Sequence, residues 1–301
     1  MSIFTRAIGM LWKIGFAWSV LLEALRLFNI AMPHPMLRLP ALLALLILLD
    51  AGMWLSIAQI FGNLFLKITQ GSNLPSDATY DCKVDYILPF EGKWTVFNGG
   101  IGKNLSHAWG IIPQRYAYDF IIMDDHGKSF TGDSKRLESY YCYGKNLIAP
   151  ADGTVVQVSN NHKDSRVDGT KVYCDTWDIR GNFIVIQHAE KEFSLLAHLA
   201  PGSIMVKTGD KVAQGDVIAK CGNSGNTSEP HLHFQLQAGR SFFASTGLPI
   251  SFVGVTAKAK ENYSTADPRD PQTNLQHARG NGRVYIGRGL EIENGGRYST
   301  E

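Results

Sequence analysis

A chain of 301 residues has room for one large domain or two smaller ones. Twenty-nine Lys and Arg against 27 Asp and Glu leave a formal charge of +2, which carries no nucleic-acid signature. The apolar residues are unevenly spread. Residues 1–68 are Leu-rich, and the remainder is rich in Gly, Asn and β-branched residues, as an all-β domain with many turns requires.

Taken in chain order, residues 1–38 read as an amphipathic or first membrane helix: Arg6, Lys13, Glu23 and Arg26 share one side of a helical wheel over Ile3 to Met32. No compact apolar run followed by a small-residue cleavage site is present, so the segment is read as retained. From Leu39 to Leu66 there are 28 residues whose only charge is Asp50, and about 20 apolar residues cross a bilayer. Fifteen of the 28 are Leu, Ile or Phe. Each favours insertion by roughly 0.3–0.6 kcal/mol, against a cost of about 2.5–3.5 kcal/mol for Asp50. Residues 39–67 are therefore predicted as a transmembrane helix, with Asp50 facing a partner transmembrane helix or water. With one span, Arg6, Lys13, Arg26 and Arg38 put the N-terminus in the cytoplasm and the rest outside; two spans would reverse this.

A polar stretch, GSNLPSDATYD, makes residues 68–79 a linker. Strands are predicted at YAYDFIIM (116–123), TVVQV (154–158), NFIVIQH (182–188), FSLLAHL (193–199), VIAKCG (217–222) and HLHFQLQ (231–237). Helical periodicity is nearly absent after residue 70. Residues 124–146 and 159–180 are long polar excursions able to wall a groove. Residues 254–301 read as a polar C-terminal extension, with a late strand within 282–292. Cys82, Cys142, Cys174 and Cys221 form no Cys-x-x-Cys pair. Outside the cytoplasm one or two disulfides are reasonable, with three full pairings open.

Chemistry concentrates at GNSGNTSEPHLHF (222–234). On a strand, His231 and His233 point to the same side, so one imidazole can ligate a metal while the other faces its open position. Catalytic zinc sites have that layout, with three protein ligands and a water. His107, Asp119 and His198 lie in other strand-like segments, whereas His188 reads as a packed or hydrogen-bonded side chain.

Three stretches in order, LIAPADGTVVQV (147–158), GNFIVIQHAEKEFSLLAHL (181–199) and VKTGDKVAQGDVIAKCGNSGNTSEPHLHFQL (206–236), resemble the lysostaphin-type (LytM-like) zinc endopeptidase family. The resemblance covers residues 80–253. It implies an all-β, compact antiparallel sheet of the LytM-like, duplicated-hybrid type, here preceded by N-terminal membrane helices. It also implies one Zn2+ per chain, with His233 and Asp119 as ligands and His198 and His231 as the two non-ligand catalytic histidines. The family's usual His-x-x-x-Asp is not kept, because Arg115 stands four residues before Asp119. QRYAYDF (114–120) resembles a branch with its histidine further upstream, which makes His107 the candidate third ligand; His126 and His162 are weaker replacements. If no loop folds back from His107, Arg115 sets a positive charge beside the metal position and disfavours zinc. The expected activity is a membrane-anchored zinc metalloendopeptidase with its catalytic domain outside the cytoplasm. It would cut stem-peptide or cross-bridge bonds of bacterial peptidoglycan through a zinc-activated water. Expected partners are peptidoglycan peptides and membrane lipid. The alternatives are an inactive scaffold of the same fold that binds wall or activates another hydrolase, and a peptidase acting on another protein or a secreted peptide.

Overall fold

The computed structural model describes residues 51–71, 73–168, 171–174, 178–278 and 282–295. The predicted helix over 1–38, Asp50 and the first part of the predicted span at 39–67 lie outside the described residues. Helix α1 (Ala51–Gln70) takes up the rest of that span and runs three residues beyond it. Among the described residues no helix is long and apolar enough to cross a membrane. Residues 58–301 form one compact unit. Within it, the end of α1 is packed rather than free. Leu66 is buried, Asn63 accepts from the Ile112 amide at 2.8 Å and donates to the Gly110 carbonyl at 3.1 Å, and Gln70 donates to Thr246 Oγ1 at 2.6 Å.

Among the described residues sixteen strands follow: β1 (Trp94–Asn98), β2 (Tyr118–Ile121), β3 (Asn146–Ile148), β4 (Gly153–Ser159), β5 (Tyr173–Cys174), β6 (Asn182–Ala189), β7 (Glu192–Leu199) and β8 (Lys211–Val212) form the first half. The second half comprises β9 (Val217–Lys220), β10 (Asn226–Thr227), β11 (Leu232–Gln237), β12 (Gly247–Leu248), β13 (Val255–Ala259), β14 (Gln276–His277), β15 (Val284–Tyr285) and β16 (Leu290–Asn294). All six predicted runs are strands. The main sheet runs β13-β16-β1-β2-β11-β7-β6-β4-β8, with β12 beside β11, and its pairings are antiparallel. The fold is thus a mostly β, antiparallel domain.

Strand alternation explains the core. Leu232, Phe234 and Leu236 of β11, Leu196 of β7, Ile184 and Ile186 of β6 and Tyr118 and Phe120 of β2 enter one large cluster. The intervening Phe183, Val185, Leu195 and Ala197 turn to the opposite face and pack with Phe242. The strands are buried on both faces, which is why they read as continuous apolar runs.

Two features differ from the sequence reading. The polar extension after residue 254 is built into the main sheet: β13 and β16 complete one side of it next to β1, with β16 overlapping the late strand expected within 282–292. The lysine of edge strand β13 suits its position: Lys258 and, just after the strand, Lys260 bridge Glu291 of β16 at 3.1 and 2.7 Å. Cys82, Cys142 and Cys221 are buried as thiols rather than joined in disulfides.

Candidate active site

The face of β11 opposite the large core carries His233, Gln235 and Gln237. Gln237 and Gln235 form a ladder, with Gln235 Nε2 donating to Gln237 Oε1 at 2.7 Å and Gln235 Oε1 lying 3.0 Å from His233 Nε2. This uses the far ring nitrogen of His233 and turns Nδ1 towards Asp119 Oδ1, 3.0 Å away. Register sets this contact: Asp119 of β2 and Ala197 of β7 both pair with His233. Asn98 of β1 in turn pairs with Asp119. One row across four strands therefore reads Asn98, Asp119, His233, Ala197.

Two irregularities add side chains that alternation alone would send into the core. The β1–β2 register shifts between Val96 and Asn98. Trp94 and Val96 face the core, so the extra residue brings Asn98 onto the Asp119 side. On β7, Ala197 and His198 together oppose the single residue Phe183, and His198 takes a left-handed φ of 62°. Its ring then lies 4.6 Å from that of His231 and 5.8 Å from that of His233, centroid to centroid. A non-glycine in this region costs of order 1–3 kcal/mol, and such strain is held by surrounding structure. Here the clamp is the contact of Gly181 with Ser224 and Gly225, where a Cβ on Gly181 or Gly225 would collide with backbone. That contact presents the Ser224 carbonyl to His198 Nδ1 at 2.7 Å.

His231, just before β11, is fixed likewise. Its Nδ1 lies 2.8 Å from the Glu229 carbonyl, and its Nε2 is 3.8 Å from Asp119 Oδ1. In both histidines a carbonyl holds Nδ1–H and leaves Nε2 as the free acceptor. His107 arrives from a loop that folds back after Gly99 and Gly100, closed by the Gly99 amide on the Leu105 carbonyl at 3.1 Å. Its Nδ1 is 3.5 Å from Asp119 Oδ2. Asn98 Nδ2 contacts both His107 Nδ1 and Asp119 Oδ2, while Asn98 Oδ1 is buried with no hydrogen-bond partner.

Arg115 does not intrude. Its Nε donates to the Trp109 carbonyl at 3.2 Å and its guanidinium lies over the Trp109 ring. His126 is exposed in the Asp124–Lys128 turn, and neither it nor His162 lines the cleft. His188 is hydrogen-bonded elsewhere, to the Asp152 carbonyl and Ser194 Oγ.

The electrostatics follow from this packing. Burial favours the neutral form of Asp119, but the His233 hydrogen bond and the nearby His231 and His107 outweigh it and hold the carboxyl well below its ordinary range. Burial, then the neighbouring histidines, pushes His198 well down, and burial also lowers His231. Both are kept as neutral bases. Burial would lower His233 as well, yet the Asp119 hydrogen bond and charge raise it.

These side chains form the floor of a cleft of about 380 Å³. The excursion over 159–180 supplies one wall through Val172, Ile179 and Arg180. The excursion over 124–146 reaches it indirectly, as Ser129 Oγ donates to Glu229 Oε2 at 2.7 Å. Burial raises the Glu229 carboxyl, with the Ser129 bond only partly opposing. The folded state therefore holds that proton more tightly than the unfolded chain. The stability this gives is full below the unfolded value of about 4.3 and is lost as pH rises through the folded one. Glu229→Gln is accordingly expected to raise the melting temperature over the parent more at pH 8 than at pH 4. Melts at the two pH values measure this, and a larger gain in acid contradicts it.

Residues 137–244 match the model of Peptidase family M23. His198, His231 and His233 lie inside the matched segment, whereas His107 and Asp119 precede it and are brought in by β1, β2 and their connecting loop. The chain is 39% identical over 69 residues to the peptidoglycan DD-endopeptidase ShyA of Vibrio cholerae serotype O1, covering 23% of this chain and 16% of that protein. It is 29% identical over 122 residues to an uncharacterized metalloprotease of Haemophilus influenzae, covering 40% of this chain and 22% of the relative. It therefore spans less than a quarter of the length of either. A solved zinc-containing peptidase from Vibrio cholerae aligns over 56% of this chain and 40% of its own, at 19% identity and a TM-score of 0.34.

The donors suit zinc in kind: a carboxylate held ionised, one imidazole whose Nδ1 is turned to it, and a second imidazole on its other oxygen. Among the described residues no three such donors stand at closed metal-site spacing. The Asn98 amide sits between His107 and Asp119, and its displacement is what closure requires. Asn98, Gln235, Ser224 and Glu229 were not singled out by the sequence; only the register and the turns bring them here.

Proposed function

We propose that this chain is a membrane-anchored zinc metalloendopeptidase that cuts peptide bonds of bacterial peptidoglycan, with its cleft outside the cytoplasm. The observation that carries the reading is one ionised carboxylate, Asp119, faced by His233, His231 and His107 at the floor of a cleft. The M23 match and the peptidoglycan endopeptidase among the relatives support the substrate class. The apolar sequence over 39–67 supports the anchor.

His107, Asp119 and His233 would hold the zinc. When bound, it supplies a Lewis acid that polarises the scissile carbonyl and makes water a nucleophile near neutral pH. His198 and His231, neutral and each with Nε2 free, are placed to accept the proton of the attacking water and then to donate to the carbonyl oxygen or the leaving amine. Their tautomers are set by the Ser224 and Glu229 carbonyls. The cleft walls and Arg180, stacked on Phe183 at 3.8 Å and paired with Asp178 at 2.6 Å, shape what enters.

A non-catalytic scaffold is the second reading, and the Asn98 amide between two of the donors favours it. Zinc content and peptide release from purified peptidoglycan, measured on the full chain in detergent, separate the two. About one zinc per chain and cleavage are expected. His231→Ala is expected to keep the metal and lose roughly 10²–10⁴-fold in turnover, the usual range for a general acid or base. A folded chain that takes up no zinc turns the reading to the scaffold, and full activity in His231→Ala removes the assigned mechanism.

A further inference from the structure

The closing turns of α1 have two faces of opposite character. Ile60, Phe61, Leu64, Phe65 and Ile68 are 65%, 65%, 49%, 57% and 74% exposed. Their spacing makes a single stripe along the helix. Gly62, Asn63, Leu66 and Gln70 lie on the other side, against the domain. A Cβ on Gly62 would collide with the Phe243 carbonyl, and Asn63, Leu66 and Gln70 make the contacts given above. Five neighbouring large apolar side chains with no polar residue among them form a patch of the kind that marks an interaction surface.

We propose that this stripe is immersed in the lipid at the surface of a bilayer, so that α1 joins the domain to the membrane as a docked strut rather than through a free tether. The proposal rests on the membrane-anchor reading and specifies how the anchor meets the domain. Three observations select lipid as the occupant. The stripe follows directly on the uncharged sequence Ala51–Gln59. As a helix, the 28 residues from Leu39 to Leu66, whose only charge is Asp50, would be about 42 Å long at 1.5 Å per residue, whereas a hydrocarbon core is only about 30 Å thick. The surplus is roughly eight residues at that rise, close to the nine from Ile60 to Ile68 that carry the stripe. Lys67, the sole charge between Ala51 and Gln70, is exposed at the end of the stripe, where an ammonium reaches headgroups.

The docked face has a consequence for the cleft. Asn63 holds Gly110 and Ile112, in the segment between His107 and Asp119. Gly62 abuts Phe243, whose neighbour Phe242 lines the cleft. The strut thereby fixes the cleft at short range from the membrane, which suits peptide strands lying next to the bilayer.

The test is site-directed spin labelling of the full chain in vesicles of phosphatidylcholine and phosphatidylglycerol, on a Cys174→Ser background. Labels are placed through Phe61→Cys, Leu64→Cys, Phe65→Cys and Ile68→Cys, with Lys93→Cys as the water-exposed reference. Power saturation compares oxygen, which concentrates in lipid, with a water-soluble nickel chelate. Oxygen accessibility several-fold above that of the nickel chelate along the stripe, with the reverse at position 93, is expected. Nickel dominating along the stripe in vesicle-bound protein overturns the proposal and leaves the anchor standing. Exclusion of both reagents overturns it in favour of a protein occupant, this chain's own N-terminal segment included. A chain that does not bind vesicles overturns the proposal and the anchor together. Zinc content and peptide release on the same preparations report the peptidase reading separately.

Discussion

His107→Ala is expected to weaken zinc binding by more than about 100-fold, since losing even an outer-shell partner of a ligand costs roughly 10–100-fold. The fold should be indifferent. The His107 side chain is 47% exposed, and its loop is held by backbone bonds that the ring does not make, Leu105 to Gly102 at 3.0 Å and Gly99 to Leu105 at 3.1 Å. His198→Ala provides the contrast. Its Nδ1 is committed to a carbonyl and its ring is turned to His231, so zinc should stay while turnover falls. Competition against a chelator of known affinity measures the first effect and peptide release the second. Unchanged affinity in His107→Ala would assign the third donor elsewhere and leave the loop histidine as a cleft side chain only.

How far the site could be read in advance depended on whether each residue obeyed strand alternation. His231 and His233 did: two residues apart at the start of an apolar strand, they had to share a face, and both now face Asp119. Asn98 and His198 did not. Counting by twos from Val96 or Leu196 sends each into the core, and only a bulge in β1 and a left-handed residue in β7 return them to the cleft. His198 was singled out through family resemblance, and Asn98 had no signal at all. Arg115 carried the opposite lesson. Its position in sequence suggested a cation beside the metal position, but its stem turns back to Trp109.

The central strands were legible because burial on both faces makes them apolar throughout, as in NFIVIQH and FSLLAHL. The edge strand β13 was not: VTAKA carries an exposed lysine, which is what protects an edge and also what makes a segment read as a polar tail. β16, paired on both sides, overlaps the late strand expected within 282–292. The docking of α1 was hidden for another reason: Asn63 falls in the predicted span and Gln70 in the predicted linker, and only their bonds to Gly110, Ile112 and Thr246 show that they hold the helix to the domain.

Glu192→Ala should lower the free energy of unfolding by about 3–5 kcal/mol, because hydrogen bonds to a charged group contribute roughly 1.5–3 kcal/mol each and orphaned buried donors cost about 1–3 kcal/mol. Glu192 is fully buried at the start of β7. One of its oxygens accepts from the Tyr80 hydroxyl and from the Lys83 amide at 2.7 Å, and the other accepts from the Tyr86 hydroxyl at 2.9 Å. Burial first, and then this carboxylate, raises both phenols far above their ordinary value, so they remain donors at any pH the protein meets. The alanine variant leaves three donors facing a void. Tyr86→Phe removes one donor and keeps the rest, so it should cost only about 1 kcal/mol. Urea unfolding followed through buried Trp94 measures both, and a loss below about 1 kcal/mol for Glu192→Ala would mean that water replaces the carboxylate. The effect should also reach the cleft. Glu192 ties the chain between α1 and β1 to the strand that carries His198, so loosening it should free the β7 bulge and lower turnover before the domain unfolds.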